Sequence, residues 1–368
     1  MSCTLSAVGG SVVAPGEELR SVPVHGSRPT LEAVAAHAGV SRATVSRVVN
    51  GGEGVRKALR DRVQASVAAL GYVPNRAARS LVTRRTGAVA VVIAEPETRV
   101  FSDPFFAQQL RGISRELSAC DLQLVLLLLE GRTNHDRIGR YLAGGHVDGA
   151  LMFSLHRDDP LPSMAGATGL PTVFGGRPGW PGAEDDPDLL YVDTDNRGGA
   201  RQAVTHLLER GRRRIAVITG PLDQTSAQDR LDGYHDALGA AGADPALVAH
   251  GHFTAEGGER AMAELLDRRP DLDAVFACND LMASGALRTL RARGRRVPED
   301  VAVVGYDDLE AAWADPALTT VRQDVQGMGR MMAGLLLRRL GLAADGVPPA
   351  GPLAPVVTPA KLVVRDSS

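Results

Sequence analysis

The sequence predicts a small all-α module followed by an α/β body built as two doubly wound parallel-sheet lobes. Three observations support this: short helices with apolar spacing between Thr30 and Gly71, a change beyond Thr86 to alternating strands and amphipathic helices, and a sharp division of charge between the two regions. A chain of 368 residues at 44% hydrophobic composition is long enough for about two to three domains with sizeable cores.

Residues 1–28 are rich in Gly, Ser and Val and lack the basic and apolar regions of a secretory signal. They are expected to form a disordered extension of a cytoplasmic protein. From Thr30, "TLEAVAAHAG" offers Thr30 as an N-cap, apolar Leu31, Val34, Ala35 and Ala38 at helical spacing, and Gly39 as the stop. Ser41 caps a second helix in which Val45, Val48 and Val49 recur. A third helix starts near Arg56, carries Leu59, Val63, Val67 and Leu70 on one face, and ends at Gly71. "NRAARSLV" follows, with Asn75 as a cap, but it is too short to be stable alone.

Between Arg28 and Thr86 there are eleven basic residues against three acidic ones, so this segment is +8 while the remainder of the chain is −10. A basic module before an acidic body points to a polyanion partner for the front end. Two short helices joined by a Gly-containing turn form a helix-turn-helix, whose second helix lies in the DNA major groove. With Val45 and Val48 facing inward, Arg42, Ala43, Ser46 and Arg47 face out. Arg42 and Arg47 can each present two donors to guanine, and Ala43 gives apolar contact or room. Thr44, Ser46, Asn50 and the helix N-terminus at Ser41 suit phosphates.

Beyond Thr86 the expected strands are "AVAVVIA", "LQLVLLLL", "VDGALMFSL", "PTVFGG", "RIAVITG", "DAVFACND" and "VAVVGYDD", with a last strand in "TPAKLVVRDSS". The expected helices are Phe106 to Ala119, Asp136 to Leu142, Gly199 to Glu209, Ser226 to Ala240, Glu256 to Leu266 and Leu281 to Arg293. This alternation predicts parallel sheets covered on both faces. Some 280 residues exceed what one such sheet usually takes, hence two lobes, with ligands at the carboxyl ends of the strands.

"TLEAVAAHAGVSRATVSRVVNG" followed by "GYVPNRAARSL" resembles the headpiece of the lac repressor family of bacterial transcription regulators. "FSDPFFAQQLRGI", "YLAGGHVDGALMFS", "DRLDGY", "ACNDLMASGALR", "VAVVGYDD" and "LTTVRQD" match that family's sensor core in order, a core similar to periplasmic sugar-binding proteins. The resemblance implies a helix-turn-helix domain over residues 29–74, a hinge helix and linker over 75–86, and a sugar-sensing, dimerising core over 87–368. It adds Thr30, Arg56, Tyr72, Asn75, Arg76 and Ala78 to the DNA contacts, with Leu81 as a minor-groove wedge.

Residue by residue, the resemblance implies effector contacts at Phe106, Arg230, Phe253, Asn279, Asp307 and Gln323. Arg177, with Asp103, Asp193 and Asp195, lies near strand ends and joins the candidates. Directed polar groups and aromatic faces suit a sugar. Trp180 and Trp313 are further platforms or, alternatively, interface or core residues. "SLVTRRTGAVAVVIAE", "YLAGGHVDGALMFSLHRDDPLP" and "FGGRP" are most similar to actinobacterial repressors that respond to cellobiose and related β-glucosides.

No nucleophile elbow, zinc signature or phosphate loop is present, so no enzymatic activity, metal or cofactor is expected. Cys3, Cys120 and Cys278 are odd in number and widely spaced, as ordinary thiols are. No apolar run approaches the length of a membrane span. Without C-terminal leucine heptads the expectation is a homodimer on palindromic operator DNA, released by a small sugar. Another sugar or a purine-like corepressor as effector, or a cytosolic sugar-binding role, are the alternatives.

Overall fold

A computed structural model of the chain describes residues 29–49, 52, 54–73, 85–129, 133–242, 247–342 and 353–368. The chain divides into two compact units, Met1–Arg79 and Ser80–Ser368. Asn50, Asn75, Arg76, Ala78 and Leu81, and with them the expected hinge helix and the N-terminal extension, lie outside the described residues.

The first unit contains α1 (Leu31–Ala38), α2 (Arg42–Val49) and α3 (Lys57–Leu70). Thr30 caps α1 by accepting a hydrogen bond from the Ala33 amide at 3.3 Å. Gly39 ends it at φ 59°, a left-handed conformation that glycine adopts without a Cβ clash. Ser41 Oγ accepts from the Thr44 amide at 3.2 Å and so caps α2. Val34, Ala35, Ala38, Val45, Val48, Val63 and Tyr72 close one small core between the three helices.

The second unit has two six-stranded sheets. In the first lobe, β1 (Ala88–Ile93), β2 (Gln123–Leu128), β3 (Gly149–Phe153), β4 (Thr172–Gly175) and β5 (Tyr191–Thr194) alternate with α4 (Glu97–Ser102), α5 (Pro104–Ala119), α6 (Thr133–Ala143) and α7 (Leu161–Gly166). In the second lobe, α8 (Asn196–Glu209), α9 (Thr225–Ala240), α10 (Ala255–Arg268) and α11 (Asp280–Ala292) cover β6 (Ile215–Thr219), β7 (Val248–His250), β8 (Ala274–Ala277), β9 (Ala302–Asp307) and β10 (Thr319–Arg322). Helix α12 (Val325–Arg339) then returns to the first lobe, and β11 (Val356–Thr358) and β12 (Lys361–Val363) complete the two sheets. The spatial orders are β11-β5-β4-β3-β1-β2 and β12-β10-β9-β8-β6-β7. All pairs are parallel except β10 with β12. Strand β1 is buried from Val89 to Ile93, as a central parallel strand covered on both faces must be.

The chain therefore passes between lobes at β5–α8, β10–α12 and β11–β12. Hydrogen bonds tie the passages together. Asp195 N donates to Thr358 O at 2.8 Å, and Thr194 Oγ1 donates to Gln323 Oε1 at 3.0 Å. Residues 85–87 are tied to the first lobe. Asp148, just before β3, accepts from the amides of Thr86 (2.7 Å) and Gly87 (2.8 Å), while Arg85 Nη2 donates to Leu340 O at 2.8 Å, just past α12.

Within the described residues each expected strand and helix is present, but the short strands β5, β7, β10 and β11, the short helices α4 and α7 and the long helix α12 are not among those expected. Helix α12 packs on α5 through glycines. A Cβ at Gly112 would lie 2.1 Å from Gln326 O, and one at Gly329 would lie 2.2 Å from Gln109 O. Among the described residues, no helix is long and apolar enough to cross a membrane. Gly112→Ala forces the two backbones apart and is expected to cost about 1–3 kcal/mol. Its denaturation midpoint should fall, whereas Gly166→Ala, which meets nothing within 4 Å, should leave the midpoint nearly unchanged.

Candidate functional site

In the first unit the burial of α2 divides its residues as the valine spacing requires. Val45 and Val48 are buried, Arg42, Ala43 and Arg47 are exposed, and Thr44 and Ser46 are half-buried. Thr44, Arg47 and Arg56 border one shallow concavity together with Arg62. Arg42 Nε is held by Glu32 at 2.9 Å, so that arginine faces outward already paired within the module. Ser41 and Thr44 hydroxyls lie 2.9 Å apart, tied into the cap of α2. Thr30 is likewise exposed and serves as the cap of α1. Tyr72 is 8% exposed, and its ring belongs to the core, because the chain turns back at Gly71 and lays the ring against the helices.

In the second unit the strand ends face one another across a cleft of about 930 Å³, counted to its open mouth. Phe106, Arg177, Arg230, Phe253, Asn279, Asp307 and Gln323 all line it, as do Asp103, Asp193 and Trp180. Trp313 does not line it; it is 90% exposed on a 3₁₀ turn after β9. Asp195 is the N-cap of α8, accepting from Gly198 N at 2.8 Å. Asn279 caps α11 by accepting from Met282 N at 2.9 Å, and Asp280 lies inside that helix and accepts from the Leu309 amide and the Thr320 hydroxyl.

The floor of the cleft is one connected polar network. Arg230 donates through Nε to Asn196 Oδ1 at 2.9 Å and through Nη1 to Cys278 O, with Asp307 Oδ1 3.6 Å away. Its guanidinium lies 3.6 Å from the Tyr306 ring centroid. Gln323 Nε2 donates to Asp307 Oδ1 at 2.6 Å, and Asn196 Nδ2 donates to Asp193 Oδ1 at 3.0 Å. Asp307 has φ 114°, a conformation rare for a residue with a Cβ. Phe253 also has a positive φ, 57°, and its carbonyl accepts from Asn279 Nδ2 at 3.2 Å, which fixes the ring at the cleft wall. Phe106 stacks on Phe153 at 6.3 Å, and Trp180 meets Phe174 edge-on at 5.2 Å. Carboxylates, amides and a guanidinium beside aromatic faces can bind a polyhydroxylated ring.

Several residues at the cleft or packed against its lining carry no sequence signature. Glu95, after β1, accepts from Ser154 Oγ (2.7 Å) and from Gln224 Nε2 (2.8 Å) and pairs with Arg99. Since Gln224 belongs to the second lobe, this carboxylate holds the lobes together. His156 with Asp223 (2.8 Å) and Arg177 with Asp229 (2.7 Å) do the same nearer the mouth. Arg99 lies 5.6 Å from the Phe106 centroid and 5.3 Å from that of Phe253. Each of these pairings joins segments far apart in sequence.

Burial raises the carboxyls of Asp103 and Asp193 above their ordinary range, and raises Asp307 well above it, with Arg230 opposing the rise at Asp307. It also pushes the Cys278 thiol up to about 12, which leaves that sulfur unreactive.

Residues 204–368 match the periplasmic binding protein-like domain family, and residues 30–75 match the bacterial regulatory proteins of the lacI family. The chain is 55% identical over 317 residues to the HTH-type transcriptional regulator CelR of Thermobifida fusca, spanning 85% of this chain and 92% of that one. It is 35% identical over 317 residues to the ribose operon repressor of Escherichia coli strain K12, spanning 84% and 93%. Among solved structures it is similar to a transcriptional regulator CelR–cellobiose complex, with 50% identity, a TM-score of 0.71 and coverage of 93% of this chain and 100% of that one. It is also similar to the lac repressor dimer bound to operator and the anti-inducer ONPF, with 28% identity, a TM-score of 0.79 and coverage of 93% and 99%. The chain belongs to the lacI family of bacterial regulatory proteins.

A carboxyl whose folded pKa is raised contributes stability that is full below the unfolded value and lost as pH rises through the folded value. Asp103→Asn keeps the cap on Phe105 N, because an amide oxygen also accepts. Chemical denaturation from pH 4 to pH 8 should therefore show a shallower loss of stability in Asp103→Asn than in the wild type. Equal slopes would mean that Asp103 does not titrate in this range.

Proposed function

We propose that this chain is a transcriptional repressor of sugar-utilisation genes that binds a palindromic operator as a cytoplasmic homodimer and is released by cellobiose or a related β-glucoside. The observation that carries the effector reading is the cleft itself: Asp307, Arg230, Gln323 and Asn279 present directed polar groups beside the rings of Phe106 and Phe253. The similarity to CelR, and to a solved CelR–cellobiose complex, supports the choice of sugar. In this reading residues 29–74 bind DNA, 75–86 form the hinge helix with Leu81 as its wedge, and 87–368 sense the sugar and dimerise.

Release follows from preference. The sugar must bind one arrangement of the lobes better than another, since a ligand indifferent to the two shifts neither. A coupling of about 1–3 kcal/mol changes operator affinity about 5- to 150-fold. Cellobiose titrated into the complex of full-length protein with a palindrome bearing a central CG step should release the DNA, followed by fluorescence anisotropy. A complex that persists through cellobiose, cellotriose, maltose and lactose would sink the effector assignment.

On the DNA side, Arg47 is exposed on the outer face of α2 and borders the basic concavity. Arg47→Ala should cost about 1–3 kcal/mol of operator affinity and relax preference at one base pair. A loss of the same size on every sequence would instead make Arg47 a phosphate contact.

A further inference from the structure

Gln109 lies on α5, lines the cleft and is 1% exposed. Its Nε2 donates to Met332 Sδ at 3.2 Å, a weak acceptor, while its Oε1 is buried and has no hydrogen-bond partner among the described residues. Turning the amide over exchanges the two atoms and leaves a donor unpartnered in place of an acceptor. In either orientation one strongly polar atom of a buried side chain at the cleft wall is unsatisfied, a condition that folded proteins avoid unless the group has another use. The side chain has little freedom to seek a partner elsewhere. Gly175 packs so closely that a Cβ there would lie 3.0 Å from Gln109 Nε2, and the Gln109 carbonyl is pressed against Gly329 of α12.

We propose that Gln109 is a specificity-determining effector contact, reading one sugar hydroxyl from the first lobe while Arg230 and Asp307 engage the ligand from the second. This rests on the reading of the cleft as a sugar site. A hydroxyl is the matching chemistry because it both donates and accepts, and so satisfies the amide in either orientation. The arrangement also divides the effector's polar contacts between the two lobes. A ligand lacking that hydroxyl leaves Gln109 unsatisfied in the complex, and discrimination against it follows from the unpaired group rather than from shape.

Calorimetric titration of the full-length protein with cellobiose and its monodeoxy analogues tests the contact. Gln109→Leu should weaken cellobiose about tenfold, the size of one lost hydrogen bond. One monodeoxy analogue, weaker than cellobiose on the wild type, should lose nothing further on Gln109→Leu. This non-additivity marks a direct contact, and a merely structural role would not produce it. Gln109→Met, which keeps the length of the side chain, repeats the test if the leucine variant unfolds. If the wild type binds cellobiose and every analogue loses as much on the variants as on the wild type, Gln109 makes no such contact. If the wild type binds no cellobiose, the sugar reading falls first and this proposal with it.

Discussion

The burial of Arg230 beside Asp307 is the constraint around which the larger unit is arranged. Both side chains are more than nine-tenths buried, so each charge depends on the other and on the groups that surround them. Those groups come from across the fold: Asn196 at a lobe crossing, the carbonyl of Cys278 after β8, the ring of Tyr306 on β9, and Gln323 at another crossing. Removing either side chain would leave buried polar groups of the other unpaired. The same network forms the floor of the cleft. The atoms that stabilise the junction of the lobes are therefore the atoms a ligand would meet, and this joins recognition to the relative placement of the lobes.

Much of the fold was legible because it follows from periodicity. Strands such as "AVAVVI" and "IAVIT" are continuous apolar runs, and helices such as α5 and α10 have a single apolar stripe. The missed elements are those whose sequence works against their structure. Strands β5, β7, β10 and β11 are three or four residues long, too short for a pattern. Helix α12 holds Gly327, Gly329 and Gly334, each of which lowers helix propensity by about 1 kcal/mol relative to alanine. Two of those positions are explained by contact: Gly329 admits the backbone of α5, and Gly327 sits against its own N-cap, Asp324. Tertiary proximity overrode propensity there.

The site was legible in a different way. Six of the residues named for the cleft came from resemblance and Arg177 from its place near a strand end, and the structure brings all seven to one cavity. Glu95, Arg99, Gln109 and Gln224 escaped because what distinguishes them is burial and long-range partners, neither of which a local pattern encodes. Tyr72 was named through the resemblance, and its packing adds what sequence did not show: the small module of three helices uses its ring for a core that has few large apolar groups. The two tryptophans, alike in sequence, separate completely, with Trp180 in the cleft and Trp313 in solvent.

The attachment of residues 85–87 has a mechanical consequence. Asp148 and the carbonyl of Leu340 clamp the chain to the first lobe, Asp148 just before β3, which pairs with β1, and Leu340 just past α12, which packs on α5. Where the described chain resumes, at residues 85–87, it is therefore held like an output shaft seated in one half of a gearbox.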